Sequence, residues 1–340
     1  MPNLTLAICV YNAEKYIKET LQSVALQTMQ DFHLLIIDDC STDGSVAAIK
    51  VFFEEHPRQY ELVCLHVNGG LCNGRWFVEE NATTKYIMFV DADDILYPHA
   101  VETLYNKISS DKDLIAVGCH LEYMDSNGKK INGGIFLGET TKEGFYKKAE
   151  KEKLIFMQPT AIYDREAALC VGGHNTTGFP AGKPRYQDLC EDLDLWTRMS
   201  DLYREGKAIV VVPEILCRYR KHENAMSGNS IGMILRMRHI KKNLKLRRRG
   251  IKELSFIEFY DSLTSKQLKE LHKDANAADA LRNGAFYLKK GNIFKGTWEI
   301  LKCIYYRPLY IWDKIKHNSG IFRQKNIGYI AMNKEEFIKI

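Results

Sequence analysis

Asp91, Asp93 and Asp94 stand together directly after the apolar run Tyr86-Ile87-Met88-Phe89-Val90. The run has no polar alternation, the pattern of a parallel strand covered on both faces, and ligands of open α/β sheets bind beyond the carboxyl ends of such strands. Carboxylates crowded at a dry strand end repel one another unless a hard divalent ion sits among them. Ligands that are all oxygen favour Mg²⁺ or Mn²⁺ over zinc. A structural reading also fits the same residues: an Asp-rich turn that caps a helix starting near Pro98.

A second acidic group has the same context. Leu34-Leu35-Ile36-Ile37 runs into Asp38-Asp39-Cys40-Ser41-Thr42-Asp43-Gly44-Ser45. The Asp38/Asp39 pair can accept hydrogen bonds from hydroxyls or a base imide and so orient a ligand without metal. Ser41-Thr42-Asp43-Gly44 reads as a turn and helix N-cap, which makes Asp43 structural. Leu4 to Val10 and Tyr60 to Val67 read as two further strands. Ile17, Leu21, Val24 and Ala25, and more weakly Val46, Ile49, Lys50 and Phe53, mark helical faces between them. The order is β-α-β-α-β-α-β. Right-handed crossovers bring the strand ends to one edge of a mainly parallel sheet, where the Asp38 and Asp91 groups share a crevice.

The stretch Ala7 to Ile17, then Asp38 to Ser45, then Asp91 to Asp94 resembles a family 2 glycosyltransferase with the GT-A fold, in order and in spacing. Gly70-Leu71 with Arg75, Cys190 to Trp196, and Tyr219-Arg220-Lys221-His222 resemble the later elements of that family, so the resemblance covers residues 3 to about 228. It implies an inverting transfer of a sugar from a nucleotide-sugar, most simply a UDP-sugar, with Mn²⁺ or Mg²⁺ against the diphosphate. In its terms Asp93 coordinates the metal, His222 joins the metal or diphosphate, Asp91 bonds the donor ribose, and Asp39 holds the base beside the ring of Tyr11.

Arg75, on a helix beginning near Asn73, has a fork that suits phosphate or a base edge, or else is a surface arginine. The family pattern has Asn after this Arg and Gly two residues later, whereas Trp76 and Val78 stand here. Inverting transfer needs a carboxylate on the acceptor side to take a proton, and Asp192 is the candidate. It opens a helix packed through Leu193, Leu195, Trp196 and Met199, with Glu191 beside it to orient the donor sugar. The alternative is that Glu191 and Asp192 only favour the helix dipole. The Gly-rich loop from Gly172 to Pro184 can close over the ligands. The strand Ile215 to Arg220 brings Arg218, Arg220 and Lys221 as further cations near the diphosphate.

With 340 residues and 45% hydrophobic content, the chain can hold a catalytic domain over 1–228 and a helical accessory region over 229–340. Nine cysteines without a close Cys-x-x-Cys pair point to reduced, packing thiols, and no signal-like opening or bilayer-length apolar stretch is present, so a cytoplasmic protein is expected. Helices are expected over Ile234 to Arg249 and Lys266 to Lys290. The basic run Arg236 to Arg249, with Tyr305, Tyr306, Tyr310 and Trp312, fits peripheral contact with the inner face of a membrane and a lipid-linked acceptor. It fits a solvated helical cap equally well. A modest net charge of +5, without an accompanying base-reading fold, argues against nucleic acid as the partner. The expected function is glycosyl transfer to a glycan or lipid-linked acceptor in cell-surface polysaccharide or glycolipid synthesis. A sugar-phosphate nucleotidyltransferase would need an N-terminal Gly-rich phosphate loop. A catalytically silent sugar-nucleotide-binding or scaffold protein is the alternative from another class.

Overall fold

The computed structural model describes residues 3–135, 137–157, 160–221, 229–289 and 291–312. Its first half alternates strand and helix: β1 (Leu4–Val10), α1 (Ile17–Ala25), β2 (His33–Asp38), α2 (Ser45–Glu55), β3 (Glu61–Cys64), α3 (Leu71–Asn81) and β4 (Tyr86–Phe89). The four strands are parallel in the order β3-β2-β1-β4. Their bare apolar sequences follow from burial: every residue of β4 is buried, as are all but one in each of β1 and β2. Val10 is in register with Asp38, and Asp38 with Cys64, so the acids after β2 and β4 leave the sheet at one edge. β3 is shorter than its apolar sequence suggests, because an edge strand has one neighbour to hold it.

The remaining strands turn the sheet from parallel to mixed. β5 (Ile95–Leu96), α4 (Ala100–Ser109), β6 (Leu114–Met124), β7 (Lys130–Ile135), α5 (Lys142–Glu150), β8 (Ala161–Asp164), α6 (Arg165–Cys170), α7 (Glu191–Met199) and β9 (Ala208–Arg220) follow. β8 lies antiparallel between β4 and β6, β9 runs parallel to β6, and β5 is antiparallel to the end of β9. The expected strand at residues 215–220 is thus the last part of a longer one. The fold is α/β, with nine strands in one sheet among the described residues.

The first compact unit continues to Thr264, beyond the boundary expected at residue 228. The reason is packing. α8 (Ser230–Arg248) and α9 (Phe256–Asp261) bury Leu235, Ile240, Leu244, Phe256 and Phe259, and Ile240 joins Cys190 and Leu193 at the start of α7. The basic run of α8 is correspondingly divided. Arg236 is buried and donates to the Leu189 carbonyl at 3.1 Å. Arg248 reaches Asp201 at 2.7 Å and Arg247 pairs with Asp201 and Glu253, while Arg238, Lys242, Lys245 and Arg249 face outward.

The second unit contains α10 (Ser265–Lys289) and α11 (Ile293–Tyr306), a helical hairpin. Ala277, Ala280 and Cys303 fill its seam. The helices approach closely at Gly284 and Gly296, where a Cβ on Gly296 would stand 3.1 Å from the Leu288 backbone nitrogen. Among the described residues no helix is long and apolar enough to cross a membrane.

Truncation separates the two boundaries. A chain ending at residue 264 should unfold cooperatively in urea, whereas one ending at 228 should be lost to aggregation or melt far earlier. It forfeits five large buried side chains at roughly 1.5–3 kcal/mol each, comparable with the whole stability of a domain.

Candidate functional site

The carboxyl edge of β1, β2 and β4 is built from tight, costly backbone. Asn12 and Cys40, just after β1 and β2, lie in the left-handed region with φ of 50° and 61°. Asn12 Oδ1 accepts from the Thr42 amide at 2.8 Å, and Asp43 accepts from the amides of Glu14 and Ser45, so Asp43 fastens this turn as expected. Tyr11 stands at the rim with 48% of its surface exposed, leaving its ring available to stack.

Asp39 is buried and accepts from the amides of Gly69 at 2.7 Å and Gly70 at 2.8 Å. Burial raises its carboxyl above the usual range, with these two amides opposing. Each oxygen keeps a second lone pair for a ligand. Asp38 holds the Ser41 amide through Oδ2, while Oδ1 is buried without a hydrogen-bond partner.

Arg75 is neither a surface arginine nor an open phosphate fork. Its side chain is 3% exposed, donating from Nη1 to Glu191 Oε1 at 2.8 Å and from Nη2 to Asp91 Oδ1 at 2.9 Å, with the guanidinium 5.2 Å from the centre of the Phe89 ring. Burial works against the charged form, but Glu191 and Asp91 outweigh it and raise the guanidinium pKa. The helix that carries Arg75 begins at Leu71, two residues before the expected start. Asp188, distant in sequence, accepts from the Cys72 amide at 2.9 Å and caps it. Val78, where the family pattern has Gly, is fully buried in the core. Trp76 lies against Gly173, where a Cβ would collide with its ring.

The strand-end acids divide by depth. Asp94 is 1% exposed and accepts from the Arg220 amide at 2.9 Å; it does not cap α4, whose N-cap is His99. Burial, then Asp93 and Asp91, push its carboxyl well up. Arg220 donates from Nε to the Asp93 carbonyl at 2.8 Å and pairs with Glu19 at 2.7 Å, so it braces the acidic turn from behind. Arg218 lies 3.5 Å from Glu122, and Lys221 sits over the rings of Tyr123 and Tyr219. Each of these expected diphosphate cations is thus engaged within the protein.

His222 lies outside the described residues. Among the described residues no three His, Cys, Asp or Glu side chains gather into a metal cage. The acids still fit a hard cation of the Mg²⁺ or Mn²⁺ type, which binds through one or two carboxylates and completes its shell with phosphate and water. The crowding recorded at Asp94 is the like-charge repulsion that such an ion relieves.

Glu191 and Asp192 open α7 behind Cys190, whose φ of 57° is left-handed. Leu193, Leu195, Trp196 and Met199 are buried, so the packed face is the one expected. The two acids differ. Glu191 turns inward to Arg75, and burial pushes its carboxyl up to about 8 against the pull of Arg75. Asp192 stays partly exposed and accepts from the Leu193 amide at 2.7 Å through one oxygen. Burial raises its carboxyl, with Arg75 opposing and Asp91 adding to the rise.

Three supports were not legible in the sequence. Arg185 donates to the Asn68 carbonyl at 2.6 Å and acts electrostatically on Asp39 and Asp188. Asp188 ties the loop before α7 to α3. Glu79, fully buried, accepts from the Tyr163 hydroxyl at 2.8 Å, the His174 amide at 2.7 Å and His174 Nδ1 at 2.8 Å, which pins the start of the Gly-rich loop. Only the pairing of a polar residue with an otherwise apolar helix face signals such groups in advance. A surface hollow lined by Gln30, Phe32, His56 and Arg58 lies at the amino edge of the sheet, away from all of these.

Residues 5–172 match the family described as Glycosyl transferase family 2. A teichoic acid poly(glycerol phosphate) polymerase of Staphylococcus epidermidis is 35% identical over 116 residues, 34% of this chain and 16% of that protein. Glycosyltransferase GlyA of Streptococcus pneumoniae is 35% identical over 125 residues, 37% of this chain and 18% of that protein. The matches thus span less than a fifth of these two relatives. The putative glycosyltransferase EpsE of Bacillus subtilis is 23% identical over 67% of this chain and 77% of its own. Among solved structures, S. aureus TarS 1-349 in complex with UDP-GlcNAc superposes with a TM-score of 0.53 at 20% identity, covering 88% of this chain and 90% of that one. Mannosyltransferase PcManGT from Pyrobaculum calidifontis, in complex with GDP-Man and Mn²⁺, does so at 0.51 and 19% identity over 92% and 88%. At these identities the superpositions establish the GT-A fold.

Removing the Arg75 charge should strand the buried Glu191 and unpair the partly exposed Asp91. Arg75→Met is expected to destabilise the first unit by about 3–5 kcal/mol, the usual cost of breaking a buried pair from one side. Arg75→Lys should recover only part of it, because an ammonium cannot reproduce the two-pronged geometry. Urea denaturation of the three proteins measures both.

Proposed function

The chain belongs to glycosyl transferase family 2, and we propose that it transfers a sugar from a nucleotide-sugar to an acceptor hydroxyl with inversion at the anomeric carbon. One observation carries this reading: Arg75 ties Glu191 to Asp91, so the partly exposed Asp192 is held next to the acids at the strand ends. A general base and a diphosphate-binding edge then share one crevice. The alternative of a silent scaffold leaves Asp192, a raised and accessible carboxylate on a rigid helix, without a use.

Asp192 takes the proton of the acceptor hydroxyl as that oxygen bonds to the anomeric carbon. The bond from that carbon to the diphosphate oxygen breaks, and the nucleoside diphosphate leaves with the electron pair. Asp39 accepts from the imide N–H of the base and Tyr11 stacks on it. Asp91, with one oxygen on Arg75, accepts from the ribose through the other. Glu191 fixes Arg75 and the entry of α7. Asp93 is the proposed ligand for Mn²⁺ or Mg²⁺, with His222 as a second, and the bound ion supplies positive charge against the departing diphosphate.

The complexes of TarS with UDP-GlcNAc and of PcManGT with GDP-Man and Mn²⁺ support a nucleotide-sugar and a metal. We favour a UDP-sugar, the donor class of the TarS complex, whose uracil imide N–H can donate to the carboxylate of Asp39. The relative named as a teichoic acid poly(glycerol phosphate) polymerase supports a glycan or lipid-linked acceptor in a cell-surface polymer or glycolipid.

Donor hydrolysis over a panel of UDP- and GDP-sugars, with and without Mn²⁺, is the decisive experiment, with proton NMR of the product reporting its anomeric configuration. No turnover of any donor, or retention of configuration, overturns the reading. Asp93→Asn should weaken metal-dependent UDP binding in calorimetry.

Asp192→Asn should keep donor binding and lower transfer by roughly two to four orders of magnitude. The base acts ionised and its carboxyl is raised, so wild-type activity should fall on acidification at a pH above the ordinary carboxylate pKa of about 4. The residual rate of Asp192→Asn should lack that limb.

A further inference from the structure

α11 carries an apolar face that its own hairpin does not use. One side buries Gly296 and Cys303 against α10. On the other, Phe294, Trp298, Leu301 and Tyr305 are 84%, 56%, 54% and 83% exposed. Their spacing of four, three and four residues puts them on one narrow stripe of a helix with 3.6 residues per turn. An exposed apolar residue is ordinary; four large ones in a line, three of them aromatic, are not.

The border of the stripe says what covers it. Lys295 and Lys302, seven residues apart, run along one flank. Lys302 Nζ lies 2.7 Å from Glu299 and 6.0 Å from the centre of the Trp298 ring, so its charge stands directly beside the apolar surface. Residues 265–312 hold nine Lys and Arg against four Asp and Glu. Rings with a polar handle, aliphatic anchors and flanking lysines form the composition of a helix lying in the head-group layer. A buried protein interface, by contrast, depletes lysine. The aromatic residues noted in the sequence part here: Tyr306 and Tyr310 pack into the hairpin, whereas Tyr305 faces out.

We propose that α11 docks the chain on an anionic lipid surface through Phe294, Trp298, Leu301 and Tyr305, with Lys295 and Lys302 meeting the lipid phosphates. This interaction stands apart from the transferase reading and from the chemistry of the first unit. It puts the helix in the plane of the surface, which suits a chain with no described helix able to cross a membrane.

Co-sedimentation of the full chain with vesicles of phosphatidylglycerol and phosphatidylcholine, against phosphatidylcholine alone, tests it. Wild-type protein should bind the anionic vesicles at low salt and weaken as salt shortens the Debye length from about 10 Å at 0.1 M to about 3 Å at 1 M. Phe294→Ser with Leu301→Ser should lower the partition by about tenfold or more, while circular dichroism stays unchanged because both residues are exposed. Lys295→Gln with Lys302→Gln should bind more weakly and with less dependence on salt. Solution donor hydrolysis should be the same in all three proteins, so a failed transferase reading and a failed docking surface give different results. The proposal is overturned if wild-type protein ignores anionic vesicles at low salt, or if the Phe294→Ser, Leu301→Ser protein binds them as well as wild type. It is equally overturned if sedimentation velocity shows a dimer that these substitutions dissociate while vesicles go unbound, since the stripe then belongs to a second copy.

Discussion

One buried guanidinium, Arg75, joins the amino half of the sheet to the start of α7, and the geometry of the crevice depends on it. Its two donors reach Asp91 and Glu191 at 2.9 and 2.8 Å, over a sequence separation of 116 residues to Glu191. Taking the guanidinium and Glu191 out of water, and Asp91 in part, is expensive, and the attraction between them offsets that cost only when the hydrogen-bond geometry is good. The arrangement is therefore stiff: moving Glu191 leaves an uncompensated charge in the core, and moving Asp91 takes one of its two partners from the buried guanidinium. Because Asp192 acts on the same guanidinium from beside Glu191, one positive charge serves three acids. The unbalanced negative charge is held at the mouth of the crevice, where a proton or a cation can respond to it.

The same economy recurs around the site, with polar groups used as fasteners where apolar packing would not fix an angle. Asp39 gathers the Gly69 and Gly70 amides, Asp188 caps α3 from across the crevice, and Arg220 braces the turn at Asp93 and Asp94. Three residues with left-handed backbones, Asn12, Cys40 and Cys190, lie at the ends of β1 and β2 and at the entry to α7. Each non-glycine residue in that region costs on the order of 1 kcal/mol, and such strain persists only where the surroundings hold it. It is concentrated here on the turns that aim Tyr11, Asp39 and Asp192.

The helices after the sheet show how similar composition can serve opposite ends. In α8 the arginines at 236, 247 and 248 are consumed by contacts within the first unit, which is why that unit runs to Thr264. In α11 the apolar stripe is left outside and its lysines border it. Charge density alone does not distinguish the two cases; the neighbours of each side chain do.

The order of strands and helices, the acid clusters at the strand ends and the packed face of α7 were legible in the sequence. Apolar runs and helical stripes are local patterns that burial imposes on consecutive residues. So was the family resemblance, through a series of motifs in order. The partners of the charged residues were not. Nothing near Arg75 in the chain announces Glu191, nothing near Leu71 announces the cap from Asp188, and Asp94 looked like a helix cap until β9 supplied the Arg220 amide. The mixed direction of the sheet and the boundary at Thr264 belong with these. Each depends on which distant segment a side chain meets when water is withdrawn, and desolvation is a property of the assembled fold rather than of any stretch of residues.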